Sequence, residues 1–224
     1  LYDKKNKIKS LDNIYLGSEI YNKEIKTVLK KKCQNFKVLK NVKNKQVAKW
    51  IADGLIIARC KGKMEFGQRA LGNRSILADP RRHETVEKIN SKIKYRDFWM
   101  PFTPTILHEH VNKVILNPKG VYSPFMTVAF DTKEEFIKKI PGVIHPADKT
   151  TRPQMLKKKI NPDYYDLINE FYKLTKIPLL LNTSFNLHGD AIVENAEQAI
   201  NTFKKSDLDV LLLNDFAIIR RSKN

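Results

Sequence analysis

Acidic residues are scarce in this sequence. Across 224 residues, 24 Asp and Glu stand against 42 Lys and Arg, a formal net charge of +18. That balance favours anionic partners: nucleotides, nucleic acid or an acidic protein. Lysines are spread along the whole chain, so only cations beside glycine loops and strand ends count as specific signals. Cysteine is nearly absent: Cys33 and Cys60 allow one disulfide at most and no zinc site of their own, which fits reduced, buried thiols in a cytoplasmic protein. There is no H-E-x-x-H pattern, and His108-Glu109-His110 lacks a third ligand, so no metal site is assigned. Long apolar runs are missing too. None approaches the roughly 20 residues a membrane-spanning helix needs, and Leu1 to Lys9 is charged, without the apolar core of a signal peptide. What remains, 42% hydrophobic and 29% charged residues, describes a globular chain long enough for one sizeable core.

Glycine is sparse as well, yet three glycines fall in the stretch Gly62 to Ser75, Gly-Lys-Met-Glu-Phe-Gly-Gln-Arg-Ala-Leu-Gly-Asn-Arg-Ser. Gly62, Gly67 and Gly72 stand among Lys63, Arg69, Arg74 and Ser75. Glycines let a backbone approach a ligand closely, and guanidinium forks bind phosphate or carboxylate oxygens bidentately. An anion cradle and a solvated basic loop both account for this composition.

The alternatives separate on sequence detail. Glu65-Phe66-Gly67, Arg69-Ala70-Leu71-Gly72-Asn73-Arg74-Ser75 and Asp79-Pro80-Arg81 closely resemble the signature that opens the C-terminal domain of the nodulation- and antibiotic-type O-carbamoyltransferases. Three further stretches resemble that family in the right order: Lys94-Tyr95-Arg96 with Pro101-Phe102-Thr103-Pro104, Asp148-Lys149-Thr150-Thr151-Arg152-Pro153-Gln154 after His145, and Asn182-Thr183-Ser184-Phe185-Asn186. Ser123-Pro124-Phe125-Met126 and Tyr15-Leu16-Gly17-Ser18 add weaker matches. Two positions depart from the family: Lys61 replaces a usual glutamine, and Met100 stands where many relatives have arginine. The resemblance extends from about Tyr15 to Ile219.

Periodicity and punctuation give an α/β order. Helices are expected over Glu19–Lys32, Asn44–Asp53, from Asp79 as cap to about Lys92, over Glu109–Ile115, from Thr132 as capping box to Lys139, from Asn161 and Pro162 to Leu174, and after Asn195. Strands are expected at Phe36–Leu39, Leu55–Ala58, Ser75–Ala78, Thr105–His108, Thr127–Phe130 and Pro178–Leu181, with a closing hairpin of Asp209–Leu213 and Phe216–Ile219. On residues alone, Lys94 and Arg96 also read as exposed cations alternating on a strand face.

The resemblance implies a single YrdC-like α/β domain over residues 14–224, a twisted mixed sheet with flanking helices. Residues 1–13 would be a lead-in or linker from an N-terminal domain, and Leu rather than Met at position 1 fits a piece of a longer chain. It implies that this domain joins carbamoyl phosphate to ATP, with magnesium, forming carbamoyladenylate and releasing pyrophosphate. A separate carbamoyl-transferring domain, in the same chain or a partner subunit, would pass the group to a hydroxyl of a sugar or natural product. Lys94, Arg69 and Arg152 would be catalytic. Arg74, Ser75, Arg96, Asn182, Thr183, Ser184, Gly67 and Gly72 would bind nucleotide or phosphate. A basic nucleic-acid-binding module of the same fold is the alternative, resting on the net charge.

Overall fold

The computed structural model describes residues 11, 13–95 and 100–220. Residues 1–10 and 12, most of the expected lead-in, lie outside them, as does Arg96.

Ten strands and seven α-helices alternate along the described residues, with short 3₁₀ and π turns between some of them. The chain begins with α1 (Asn22–Lys32), β1 (Lys37–Leu39), α2 (Asn44–Ala52), β2 (Ile57–Cys60) and β3 (Arg74–Ala78). Next come α3 (His83–Ile89), β4 (Thr103–Leu107), α4 (Val111–Val114), β5 (Phe130–Asp131), α5 (Glu134–Ile137), β6 (Thr150–Thr151) and β7 (Gln154–Leu156). It closes with α6 (Pro162–Thr175), β8 (Leu179–Ser184), α7 (Ala196–Lys205), β9 (Val210–Leu213) and β10 (Phe216–Ile219).

Eight strands form one mixed sheet in the order β1-β10-β9-β2-β3-β8-β4-β7, while β5 and β6 pair separately. Pairs β2–β9 and β4–β7 are parallel and the other neighbours antiparallel. Strands β2, β3 and β9 are buried at every position, as expected of a sheet covered on both faces. Two helix pairs supply the cover: α2 packs on α6, and α1 on α7.

Local chemistry explains the best-formed helices. Asn161 accepts a hydrogen bond from the Tyr164 N–H (3.2 Å), Pro162 occupies the first turn, and Leu167, Ile168 and Phe171 are buried. Asn195 accepts from the Gln198 N–H (3.0 Å), and Gln198 Oε1 accepts in turn from the Glu194 N–H (2.8 Å).

Other expectations are corrected. Asp79 does not cap a helix: its buried carboxylate accepts from the Arg81 N–H and side chain, and α3 starts only at His83. Thr132 does not cap α5, which begins after Lys133; the Thr132 hydroxyl is buried without a partner among the described residues. Leu174 is 51% exposed, on the outer side of α6. Residues 127–129 are not strand. Lys94 ends a π-helical turn (Asn90–Lys94) rather than alternating along a strand.

Candidate functional site

The glycine-rich stretch is the loop that joins neighbouring antiparallel strands β2 and β3. Its second half is held from within. Glu65 is 4% exposed, and its Oε1 accepts from the N–H groups of Leu71 (2.7 Å), Asn73 (2.7 Å) and Arg74 (3.3 Å). A carboxylate of the protein thus fills the anion-binding concavity that those amides make. Arg59, on β2, donates to the carbonyl of Gly72 and to Asn73 Oδ1 (2.9 Å), pairs with Asp163 (2.7 Å), and lies 5.4 Å from the centre of the Tyr164 ring. Gly72 is required here: φ is +114°, and an added Cβ would come within 2.2 Å of the Tyr164 ring.

This bracing engages several of the residues expected to contact a ligand. Arg74 is fully buried, and its guanidinium donates to the carbonyls of Glu194, Lys61, Gly62, Asn73 and Ser18. Ser75 is also fully buried and accepts from the Gly72 N–H (2.9 Å). Arg74, Ser75 and Gly72 are thus turned inward and brace the loop. Lys61 pairs with Asp163 (2.9 Å) and Asp215 (3.1 Å). Asp163 shows the balance of forces: burial pushes its carboxyl up, but Arg59 and Lys61 prevail and hold it at about 2.

Lys94 is 3% exposed, with its ammonium against Ser184 O (2.6 Å), Ser184 Oγ (3.1 Å), Asn186 O (3.0 Å) and Asn186 Oδ1 (2.5 Å). These contacts tie Lys94 to the turn that ends β8.

The first half of the loop differs. Among the described residues, the backbone N–H groups of residues 67–70 have no acceptor, and the Arg69 guanidinium has no hydrogen bond or ion pair. Arg152, between β6 and β7, comes to the same place. Its Nε is buried without a partner. Burial lowers its affinity for its proton, and the positive charge of Arg69 lowers it further. Two neighbouring guanidinium groups with no carboxylate paired to either among the described residues repel, an arrangement that suits a site built for an anion.

The arginines stand at the junction of two recesses beyond the carboxyl end of β8. The larger, about 450 Å³, is lined by Met100, Phe102, Val143, His145 and Thr151 as well as the arginines. The smaller, about 60 Å³, is lined by Gln68, Ala70, Asn182, Thr183 and Ser184. Thr103 and Pro101 line both. Of the expected residues, the fold brings together Arg69, Arg152, Asn182, Thr183 and Ser184, turns Arg74, Ser75 and Gly72 inward, and leaves Gly67 exposed at φ +93°.

A buried relay fixes this junction. Thr105, on β4, donates to Gln154 Oε1 (2.8 Å); Gln154 Nε2 donates to the Leu71 carbonyl (3.2 Å). Asn182 Nδ2 donates to the Ala70 carbonyl (3.1 Å) and to Thr105 Oγ1 (3.0 Å). Tyr15, its hydroxyl pushed up to about 12 by burial, also donates to Leu71 O (2.8 Å). Glu65 entered the sequence reading only as part of the family signature and Thr105 only as the start of an expected strand, neither with a role. A carboxylate inside an otherwise cationic glycine loop was the available signal for Glu65; Thr105 carried none, being one threonine in an apolar strand.

Comparison with known proteins places this architecture. A model of the carbamoyltransferase C-terminus matches residues 48–220. An uncharacterized protein of Methanocaldococcus jannaschii is 46% identical over 225 residues, covering 97% of this chain and 43% of that protein. Nodulation protein NolO of Bradyrhizobium diazoefficiens is 42% identical over 175 residues, covering 78% of this chain and 32% of its own. The chain thus spans less than half the length of these curated relatives. Among solved structures, full-length HypF in its phosphate- and nucleotide-bound form superposes with a TM-score of 0.58 at 23% identity, over 80% of this chain and 26% of HypF. E. coli YciO superposes with a TM-score of 0.51 at 14% identity, over 80% and 87% of the two chains. These likenesses concern the fold, which is the expected YrdC-like one.

Proposed function

The chain belongs to the carbamoyltransferase C-terminus family, and from that premise we propose that it forms carbamoyladenylate from carbamoyl phosphate and ATP. The balanced reaction also consumes water. Water takes the phosphoryl group from carbamoyl phosphate, the released carbamate oxygen attacks the α-phosphorus of ATP, and pyrophosphate leaves with phosphate as the second product.

The observation that carries this reading is the pair Arg69 and Arg152, without anionic partners among the described residues, at the junction of a large and a small recess. Two polyanions brought together repel, and fixed guanidinium groups offset that repulsion without reorganising during the reaction. The larger recess has room for a nucleoside against Phe102 and Val143; the smaller takes a group of a few heavy atoms. Holding the two reactants in register can supply roughly 7–11 kcal/mol of the barrier. Lys94 and Ser184 act here by fixing the turn after β8. Thr183 lines the smaller recess, and the free N–H groups of residues 67–70, Gly67 among them, offer further phosphate contacts. Among the described residues no three His, Cys, Asp or Glu side chains converge to hold a metal; magnesium would arrive with the triphosphate, coordinated by its oxygens and water.

The carbamoyl group would then pass to a hydroxyl of a small-molecule acceptor through a second, N-terminal unit, a step supported by the greater length of the relatives. Among the described residues no helix is long and apolar enough to cross a membrane. The nucleic-acid alternative rests on net charge, and Lys32, Lys49, Lys61, Lys88, Lys92, Lys158 and Lys173 are each paired with a carboxylate.

Pyrophosphate release from ATP by this chain, with and without carbamoyl phosphate, tests the proposal. Release that depends on carbamoyl phosphate supports it. Absence of both release and ATP binding overturns it.

A further inference from the structure

Asn182 is fully buried, and its Oδ1 has no hydrogen-bond partner among the described residues. The orientation of its carboxamide follows from its neighbours. Ala70 O, 3.1 Å away, can only accept, so the atom facing it must be Nδ2. The Leu71 carbonyl orients Gln154 by the same logic: Nε2 faces Leu71, and Oε1 takes the Thr105 hydroxyl proton. With that proton engaged, Thr105 Oγ1 can only accept from Asn182 Nδ2. Both protons of Nδ2 are thus committed, and Oδ1 is left as an acceptor with two unused lone pairs. Buried acceptors without donors are rare and unfavourable. This one belongs to a residue in the wall of the small recess beside Arg69 and Arg152.

We propose that Asn182 Oδ1 is a specificity determinant that accepts a hydrogen bond from the –NH₂ of the carbamoyl group. The inference rests on the function proposed above and names how the small recess chooses its acyl group. At about 60 Å³ the recess matches a carbamoyl group rather than a purine, which the larger recess accommodates. The arginines read the phosphate, which every acyl phosphate shares. Only the amino group distinguishes carbamoyl phosphate from acetyl phosphate, where a methyl of similar size takes its place. A site that leaves a buried acceptor unpaired discriminates strongly against an analogue lacking the donor.

The test compares carbamoyl phosphate with acetyl phosphate, as binding by titration calorimetry and as drivers of pyrophosphate release, with ATP binding measured separately. The wild-type chain should prefer carbamoyl phosphate by about 100-fold. Asn182→Leu should reduce that preference to below about 5-fold while the arginines still bind the phosphate. Thr105→Val, which removes one of the two acceptors that hold the carboxamide, should lower the preference without removing Asn182. It decides the matter with the wild-type ratio if Asn182→Leu does not fold. A wild-type preference below about 3-fold, or a folded Asn182→Leu chain with the wild-type ratio, overturns the proposal. Failure to bind either acyl phosphate overturns the underlying function as well, an outcome distinct from equal binding of both.

Discussion

Replacing Glu65 tests whether the glycine loop is a scaffold built before any ligand arrives. One carboxylate oxygen accepts from three backbone N–H groups, at 2.7, 2.7 and 3.3 Å, in a residue 4% exposed. Glu65→Ala leaves those three donors buried without acceptors. An unsatisfied buried donor costs roughly 1–3 kcal/mol. The third bond is long, and water can enter part of the vacated space, so the sum comes to about 3–5 kcal/mol. Glu65→Gln is milder because its amide oxygen keeps an acceptor at Oε1, although its –NH₂ then takes the buried place of Oε2, which has no partner among the described residues. The charge assistance disappears, roughly half the strength of such bonds, and the –NH₂ is left without an acceptor, together about 2–3 kcal/mol. In a domain of this size about 1 kcal/mol moves Tm by roughly 2–4 °C. Thermal unfolding followed by circular dichroism should therefore rank wild type above Glu65→Gln above Glu65→Ala, with the last lower by roughly 10 °C. An alanine variant within about 1 kcal/mol of wild type, or a glutamine variant worse than alanine, would refute the reasoning.

Three other outcomes follow from the same geometry. Gly72→Ala should cost more than about 3 kcal/mol, from the 2.2 Å clash with Tyr164 added to a φ of +114°. Gly67→Ala, with φ +93° but open space around it, should cost only about 1 kcal/mol; equal Tm values for the two would contradict the packing. Asp163→Asn should destabilise the chain at pH 7 by about 1–2 kcal/mol, once screening at its partly exposed carboxylate is allowed for. Because the folded-state value, about 2, lies below the ordinary 3.8, the ion pairs stabilise above pH 4 and lose that effect as pH falls toward 2. Urea unfolding should show the gap between wild type and Asp163→Asn narrowing over that interval, and a constant gap would count against the assignment.

The fold was legible wherever local chemistry and tertiary packing agree. Asn161 with Pro162, Asn195 with Gln198, and the closing hairpin across Asn214-Asp215 formed as their residue types require. Asp79 misled because the same carboxylate that can cap a helix can instead bind Arg81 two residues on, and burial favoured the ion pair. The site was legible as a region and not as a set of roles. Sequence located the loop, the Arg152 segment and the turn after β8, and the fold does bring them together. It could not say which cations the protein itself neutralises. Arg74 and Arg69 are five residues apart in one motif, yet one is enclosed by five carbonyls and the other has no partner among the described residues. That difference is set largely by the backbone carbonyls of Glu194, Ser18 and Lys61, whose approach to Arg74 no residue type announces.

The division between bracing and ligand-facing arginines is the central claim, and ATP and carbamoyl phosphate titrations of Arg152→Met and Arg69→Met, each with its melting temperature, test it most directly. Each arginine would make charge-assisted bonds to phosphate oxygens and has no internal partner among the described residues. Affinity should therefore fall by at least about 30-fold while Tm holds or rises, since removing either cation relieves its repulsion with the other. Unchanged affinity, or a loss of affinity only in step with a loss of stability, would contradict the account.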